Sequence, residues 1–231
     1  MRSDSLTVVY YSASTEDPAF EARVQAQILA AGGGALPIIS VTQRPAKFGR
    51  NVCVGDVGCC DANAFRQLQI GAQQADTEWI AVAEADVLYP PAYFDWRPDD
   101  QTPPCVRYVP VYILWNRPRG LGEGFLQKEW TEGAQYVRTD YLLKRLDLAL
   151  RGRPTWSTPD DPHPRELMRK RRWGYRTQPG APVISCKTGQ GLRWRTGTIR
   201  GVESVQRLPY WGTADSLRER FFVRENREAT A

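Results

Sequence analysis

Leu6-Thr-Val-Val-Tyr-Tyr11 is a run of β-branched and aromatic residues, and a second such run, Leu36-Pro-Ile-Ile-Ser-Val41, follows it after a helical pattern. This strand–helix–strand order constrains the chain more than any other feature. Two strands joined by a helical crossover lie parallel with a right-handed connection, which predicts an α/β sheet covered by helices. The helix is expected from about Asp17, with Phe20, Val24, Ile28 and Leu29 on one stripe. Gly32-Gly33-Gly34 stops it. The triple glycine comes after the helix, so it reads as a linker and not as a phosphate-binding loop.

A third strand is written in Trp79-Ile-Ala-Val-Ala83, short, apolar and bounded by polar residues. It ends in Glu84-Ala85-Asp86, two acids at the i, i+2 spacing that puts side chains on one face of an extended segment. Tyr89-Pro90-Pro91 then prevents regular continuation, leaving the acids at the strand's C-terminal end. Ligands of open α/β sheets bind at that edge. Two carboxylates there suit Mn²⁺ or Mg²⁺, hard cations that share oxygen ligands with phosphates. A plain polar strand terminus has the same composition.

The block ahead of this strand, Asn63 to Ile80, reads N-x-x-R-Q-x-x-x-G-A-x-x-A-x-T-E-W-I. Together with the E-x-D and V-L-Y-P that follow, it resembles nucleotide-sugar glycosyltransferases of the GT-A fold, over roughly Leu6 to Phe94. The resemblance implies a GT-A-like, Rossmann-type, mixed and centrally parallel sheet flanked by helices. It implies a nucleotide-sugar donor, a UDP-sugar first, and a divalent ion, Mn²⁺ or Mg²⁺, on Asp86, with Glu84 on the ribose or reaching the metal through water. Tyr10, Tyr11 and Ser12 lie where the family's first strand meets base and ribose, although either tyrosine could equally pack the sheet. Arg66 would pair with phosphate, or else be a solvated helix charge. In inverting members an acidic pair past the metal motif supplies the base. Asp160-Asp161, before the basic Arg165–Arg172 and Gly174-Tyr175, resembles that layout. Asp161 is the first choice, with Asp160, Glu132 and Asp140 as competitors and an ordinary acidic turn as the other reading. Where many relatives place a metal-binding histidine, this chain has Ser185-Cys186-Lys187-Thr188-Gly189-Gln190. Lys187 or Gln190 could contact phosphate there instead.

The remaining chain agrees with one α/β domain over 1–231, a nucleotide-sugar-binding half (1–95) followed by an acceptor-binding half (96–231). Cys105–Trp115 reads as a strand kinked by Pro110, Trp130–Arg138 as a further strand, and Tyr141–Leu150 as a helix capped by Thr139-Asp140. Pro182–Cys186 is expected as a last short strand and Leu217–Arg227 as a closing helix. Thr42–Asp61 reads as a long irregular loop, the kind that is usually functional or mobile.

Charge is uneven. The net charge is +5, and the positive field belongs to the C-terminal half, in Arg165–Arg176, Lys187, Arg193, Arg195, Arg200 and Arg207, interleaved with Trp173, Tyr175 and Trp194. Phosphate-tracking cations beside stacking rings suit a polynucleotide. The look of the chain also resembles phage-type transferases that modify hydroxymethylated pyrimidines in DNA, whose acceptor base would have to be flipped out. Ordinary packing of a small lobe accounts for most of the tryptophans equally well. The five cysteines are odd in number and irregularly spaced, which suggests reduced thiols and a cytoplasmic setting. Cys53, Cys59 and Cys60 lack the pair-and-pair spacing of a zinc site. The single histidine, His163, makes a Ser-His-Asp hydrolase an unattractive reading. No apolar run approaches membrane-spanning length, so no membrane partner is expected. Two other classes compete with the transferase. A non-catalytic nucleic-acid-binding protein leaves the strand-end acids unexplained. A metal-dependent nucleotidyltransferase expects a Gly-rich basic loop after the first strand, where this chain has Tyr11-Ser-Ala-Ser-Thr15.

Overall fold

The structure, a computed structural model, describes residues 3–32, 34, 36–116, 123–161, 174–178, 180–189 and 204–222. Their first half runs β1 (Ser3–Ser12), α1 (Pro18–Ala31), β2 (Ile38–Thr42), β3 (Arg50–Cys53), α2 (Asp61–Gln73), β4 (Thr77–Glu84), β5 (Val87–Leu88) and α3 (Pro91–Phe94). Next come β6 (Cys105–Val109), β7 (Val111–Trp115), β8 (Leu126–Lys128), β9 (Gln135–Arg138) and α4 (Thr139–Leu150). The described chain closes with β10 (Gly174–Thr177), β11 (Val183–Lys187), β12 (Arg207–Leu208), β13 (Gly212–Thr213) and α5 (Ala214–Phe221).

The main sheet has the order β10-β6-β9-β4-β1-β2-β3, and a second sheet the order β5-β11-β7-β8. Its central run β4-β1-β2-β3 is parallel throughout, and β9 is antiparallel to β4 and β6. The strand–helix–strand order predicts the parallel centre flanked by helices, and the mixed, centrally parallel sheet is the one the family resemblance implies. The period of two along β1 divides the core. Leu6, Val8 and Tyr10 face α1, α3 and α5 through Phe20, Val24, Ile28, Phe94 and Leu217. Val9 and Tyr11 face α2 and α4 through Phe65, Leu68, Leu142 and Leu146. α1 starts where expected, with the Asp17 carboxylate accepting from Phe20 N at 2.9 Å. α2 comes unusually close to the sheet. A Cβ on Gly71 would lie 2.4 Å from Val9 Cγ1, so only glycine fits there.

Several elements differ from the sequence expectation. The Thr42–Asp61 stretch contains a strand, β3, whose Arg50–Cys53 pairs with Ile39–Thr42. It is an exposed edge strand, so it lacks the alternation by which strands are read. The Cys105–Trp115 run is two strands in two sheets, divided at Pro110, where the Val109–Pro110 peptide is cis. Within Trp130–Arg138 only Gln135–Arg138 is strand. Thr139 does not cap α4. Its hydroxyl donates to the Thr77 carbonyl at 2.9 Å, and the cap position is Arg138. The closing helix begins three residues early, at Ala214. His163, Gln190, Trp173, Trp194, Arg193, Arg195, Arg200 and the basic run from Arg165 to Arg172 lie outside the described residues. No described helix is long and apolar enough to cross a membrane.

Candidate functional site at the end of the central strands

β4 and β9 pair only from Trp79–Arg138 to Ala81–Tyr136. Beyond Ala81 the ladder stops, and two tyrosines fill the gap. Tyr93 Oη lies 2.7 Å from the Val82 carbonyl and 3.0 Å from the Gln135 carbonyl. One step further, Tyr89 Oη accepts from Glu84 N at 2.9 Å and donates to the Gly133 carbonyl at 2.6 Å. The backbone polar groups released by the splay are thereby satisfied. Glu84 emerges at this opening.

Tyr11 and Glu84 are register partners on adjacent parallel strands, and the Tyr11 hydroxyl donates to Glu84 Oε1. On its other side Glu84 packs against Gly133, where a Cβ would meet Oε2 at 2.5 Å. Burial and the neighbouring Asp86 carboxylate push Glu84 up to about 7, and Glu132 acts in the same direction. Asp86 belongs to the far side of the turn. Its carbonyl accepts from Cys186 N at 2.7 Å, tying it to β11, and its Oδ2 lies 3.6 Å from the Lys187 ammonium. Glu16, in the loop after β1, is also buried and also pushed up to about 7, first by burial and then by Asp86. Its Oε2 has no hydrogen-bond partner. Lys128 completes the group from β8. It is 8 % exposed, and burial and Lys187 hold it below the usual lysine range, with Glu84, Glu132 and Asp86 acting the other way. The edge therefore gathers Glu16, Glu84, Asp86 and Glu132 around two lysines.

A divalent ion needs less from the protein than this. Mg²⁺ is commonly held by one or two carboxylates, with phosphate and water completing the shell. Asp86 with Glu84 meets that minimum and would hold the ion. Among the described residues no three His, Cys, Asp or Glu side chains group closely enough to hold a metal. All five cysteines are free.

The other sequence-derived residues fall in different places. Tyr10 points into the opposite core face, wholly buried, with its hydroxyl on Glu21 Oε1 at 2.6 Å and its ring edge-on to Phe48 at 4.9 Å. Ser12 is buried and accepts from Ser14 N at 2.9 Å, which shapes the turn leading to Glu16. Arg66 is a fastener. It donates to the Thr155 carbonyl at 3.3 Å and to Gln69 Oε1 at 2.8 Å. With Asn63, which exchanges hydrogen bonds with Ser157 at 2.7 and 2.9 Å, it fixes the loop that carries Asp160 and Asp161 onto α2. Asp161 accepts from Thr158 N at 2.7 Å within its own turn, and Asp160 is exposed. Asp140 pairs with Arg138 at 2.7 Å. Sequence reading missed Glu16 and Lys128. The only local signal for Lys128 was its i, i+2 spacing from Leu126, which puts both side chains on one face of a strand, and both are buried.

No family model matches the sequence, and no curated protein matches it. Among solved structures, residues 1–349 of S. aureus TarS superpose with a TM-score of 0.46 at 10% identity, over 79% of this chain and 60% of that one. A glycosyltransferase involved in glycosylation of the major capsid of PBCV-1 gives 0.40 at 13% identity, over 75% of this chain and 82% of that one. The bifunctional IspDF from Campylobacter jejuni gives 0.45 at 11%, over 81% and 52% respectively. The chain thus spans 60% of the first of these and about half of the last.

Proposed function

We propose that the chain transfers a sugar from a nucleotide-sugar donor, a UDP-sugar first, to an acceptor hydroxyl. The observation that carries this reading is the pairing of Glu84 and Asp86 across a single residue at the C-terminal end of the central parallel strand, with Lys187 facing Asp86 at 3.6 Å. That edge is where an open α/β sheet receives a ligand. Mixed carboxylates and ammonium groups suit a sugar diphosphate, whose hydroxyls need acceptors and whose phosphates need cations.

In this reading the acceptor oxygen attacks the anomeric carbon, the bond to the nucleoside diphosphate breaks, and an ionised carboxylate acting as general base takes the acceptor's proton. A bound Mn²⁺ or Mg²⁺ would supply Lewis-acid stabilisation of the leaving diphosphate. Tyr11 fixes Glu84, and Glu84 in its ionised form accepts from donor hydroxyls. Two acids compete for the base. Asp161 is favoured by sequence resemblance. Glu132 is favoured by its charge, which acts on Glu84, Tyr11 and Lys128 together. The acceptor is proposed on the sequence alone. The basic, aromatic C-terminal half supports a hydroxymethylated pyrimidine in DNA, and the free cysteines agree with a cytoplasmic setting.

The experiment is a thermal-stability screen of nucleotide sugars with and without Mn²⁺. A donor at a hundred times its dissociation constant stabilises by about 2.7 kcal/mol. A screen in which no nucleotide sugar shifts the transition under either condition removes the reading.

A further inference from the structure

Continuing the register that sets Trp79 opposite Arg138 and Ala81 opposite Tyr136 would set Val82 opposite Gln135 and Glu84 opposite Gly133. The strands do not pair there, yet two tyrosine hydroxyls stand at those two positions. Tyr93 Oη lies between the carbonyls of Val82 and Gln135, and Tyr89 Oη joins Glu84 N to the Gly133 carbonyl. The Tyr89 hydroxyl is thus inserted into a rung that an unbroken ladder would close directly. It accepts from one strand and donates to the other, both of which a phenol can do at once. Two bonds, of 2.9 and 2.6 Å, stand where one would, so the end of β4 and the turn before β9 are held one oxygen atom apart. Tyr89 itself is firmly rooted. It is wholly buried, its N–H donates to Gln27 Oε1 at 3.1 Å, and Gln27 Nε2 donates back to its carbonyl. Its ring centre lies 4.8 Å from that of Tyr93 and 5.8 Å from that of Phe94.

We infer that Tyr89 is a positioning residue for Glu84: its inserted hydroxyl holds the strand end open and so sets where the Glu84 carboxylate meets a bound nucleotide. The inference rests on the nucleotide-sugar reading. It follows from how Glu84 is gripped. Tyr89 packs on the α1 face of the sheet and takes the Glu84 amide, whereas Tyr11 packs on the α2 face and takes the carboxylate. The same Tyr89 hydroxyl fixes Gly133, the residue against which that carboxylate rests. Tyr89 directly follows β5, which pairs with β11, so the grip on the first sheet is anchored in the second. Without the hydroxyl, either the strand end closes onto Gly133 or Glu84 N and the Gly133 carbonyl stay unpaired. Both outcomes move the carboxylate, and a misplacement of about 1 Å at a reacting geometry costs on the order of 100-fold.

The test is calorimetric binding of UDP, GDP, CDP and ADP to the full chain in Mn²⁺, carried on with whichever binds tightest. Tyr89→Phe keeps the ring, deletes the hydroxyl and should weaken that binding at least ~10-fold, the scale of one lost contact. Tyr93→Phe deletes an equally buried hydroxyl two residues further from the acids, and should lower the melting temperature with affinity unchanged. In a Glu84→Ala background Tyr89→Phe should weaken binding no further, because its effect runs through Glu84. Additive losses, an equal loss from Tyr93→Phe, or unchanged affinity in Tyr89→Phe each overturn the inference while leaving the transferase reading standing. Hydrogen exchange decides even if Tyr89→Phe does not fold. In the unaltered, unliganded chain the Glu84 amide should exchange as slowly as the paired amides of β4, and exchange at the rate of an open loop overturns the inference. Absence of binding by all four nucleotides overturns both.

Discussion

Gly133→Ala is the sharpest perturbation of the site, because it adds one methyl group whose three nearest atoms all belong to Glu84. A Cβ there would stand 2.5 Å from Glu84 Oε2, 2.6 Å from Cδ and 2.9 Å from Cγ. All three are closer than carbon and oxygen atoms tolerate, so the carboxylate must move. Backbone is not the obstacle, since Gly133 is not among the residues with positive φ. At an unobstructed position of this kind Gly→Ala stabilises by about 0.4–1 kcal/mol. Here Glu84 must leave the Tyr11 hydroxyl, and a hydrogen bond to a charged group contributes about 1.5–3 kcal/mol. Overpacking in a buried setting costs about 1–3 kcal/mol. The net expectation is about 1–3 kcal/mol lost, a fall in melting temperature of about 2–4 °C for each kcal/mol in a chain of this size. Transfer should drop by at least ~10-fold, since a 1.4 kcal/mol change at the reacting geometry has that effect. The assay is a double-mutant cycle with Glu84→Ala, which removes the clashing atoms. Glu84→Ala/Gly133→Ala should be no less stable than Glu84→Ala alone, giving a coupling energy well above the ~0.5 kcal/mol seen for independent sites. Additive effects, or a Gly133→Ala protein with unchanged melting and transfer, would refute the placement of Glu84 against Gly133.

Other outcomes follow from the same geometry. Asp86→Asn should abolish transfer while leaving the circular dichroism spectrum and the cooperative melt intact; near-normal turnover would remove Asp86 from the chemistry. Whichever of Asp161→Asn and Glu132→Gln removes the base should slow transfer at least ~100-fold with donor affinity little changed, and parallel kinetics on the two variants decide between them. Glu84 and Glu16 are both raised from 4.5 to about 7, so the folded state holds protons that the unfolded chain has released. Stability should therefore be greatest below about 4.5 for these two groups and decline as pH rises through about 7. Urea titrations across that window should show the slope, and Glu16→Gln should flatten it. If hydroxymethylated DNA is the acceptor, log K for binding should fall by roughly 0.9 per phosphate contact for each tenfold rise in salt; salt-indifferent binding would exclude a DNA track.

The legible parts of this fold were those set by local pattern. The run of β-branched and aromatic residues Leu6–Tyr11 marked β1, and the spacing of Phe20, Val24 and Ile28 marked α1. Glu84 and Asp86 were legible because an apolar strand ends in acids. What escaped was set by tertiary partners. β3 carries no apolar alternation and exists through its pairing to β2. The division of Cys105–Trp115 between two sheets needs the rest of both sheets to be seen. Tyr10 carried the right composition for a nucleotide platform, yet a period of two sends it into the core while Tyr11 reaches Glu84. Arg66 read equally as a phosphate ligand or a solvated helix charge, and its partners, Thr155 and Gln69, are 89 and 3 residues away. Glu16 lies between the first strand and the helix expected from about Asp17, and nothing local distinguishes a buried acid there from an exposed one.

One feature of the acid turn reaches beyond chemistry. Glu84 is the last residue of a strand in the main sheet, and Asp86 is bonded through its carbonyl to β11 in the second sheet, with only the buried Ala85 between them. The two acids thus straddle a seam, each anchored to a different slab of the molecule. A ligand that engages both cannot do so without registering any slip of one slab against the other. The same ligand, once seated, acts as a rivet through the seam. Amides of Asp86, Cys186 and Lys187 should then exchange more slowly with solvent when the site is filled, although none of them belongs to the sheet that holds Glu84.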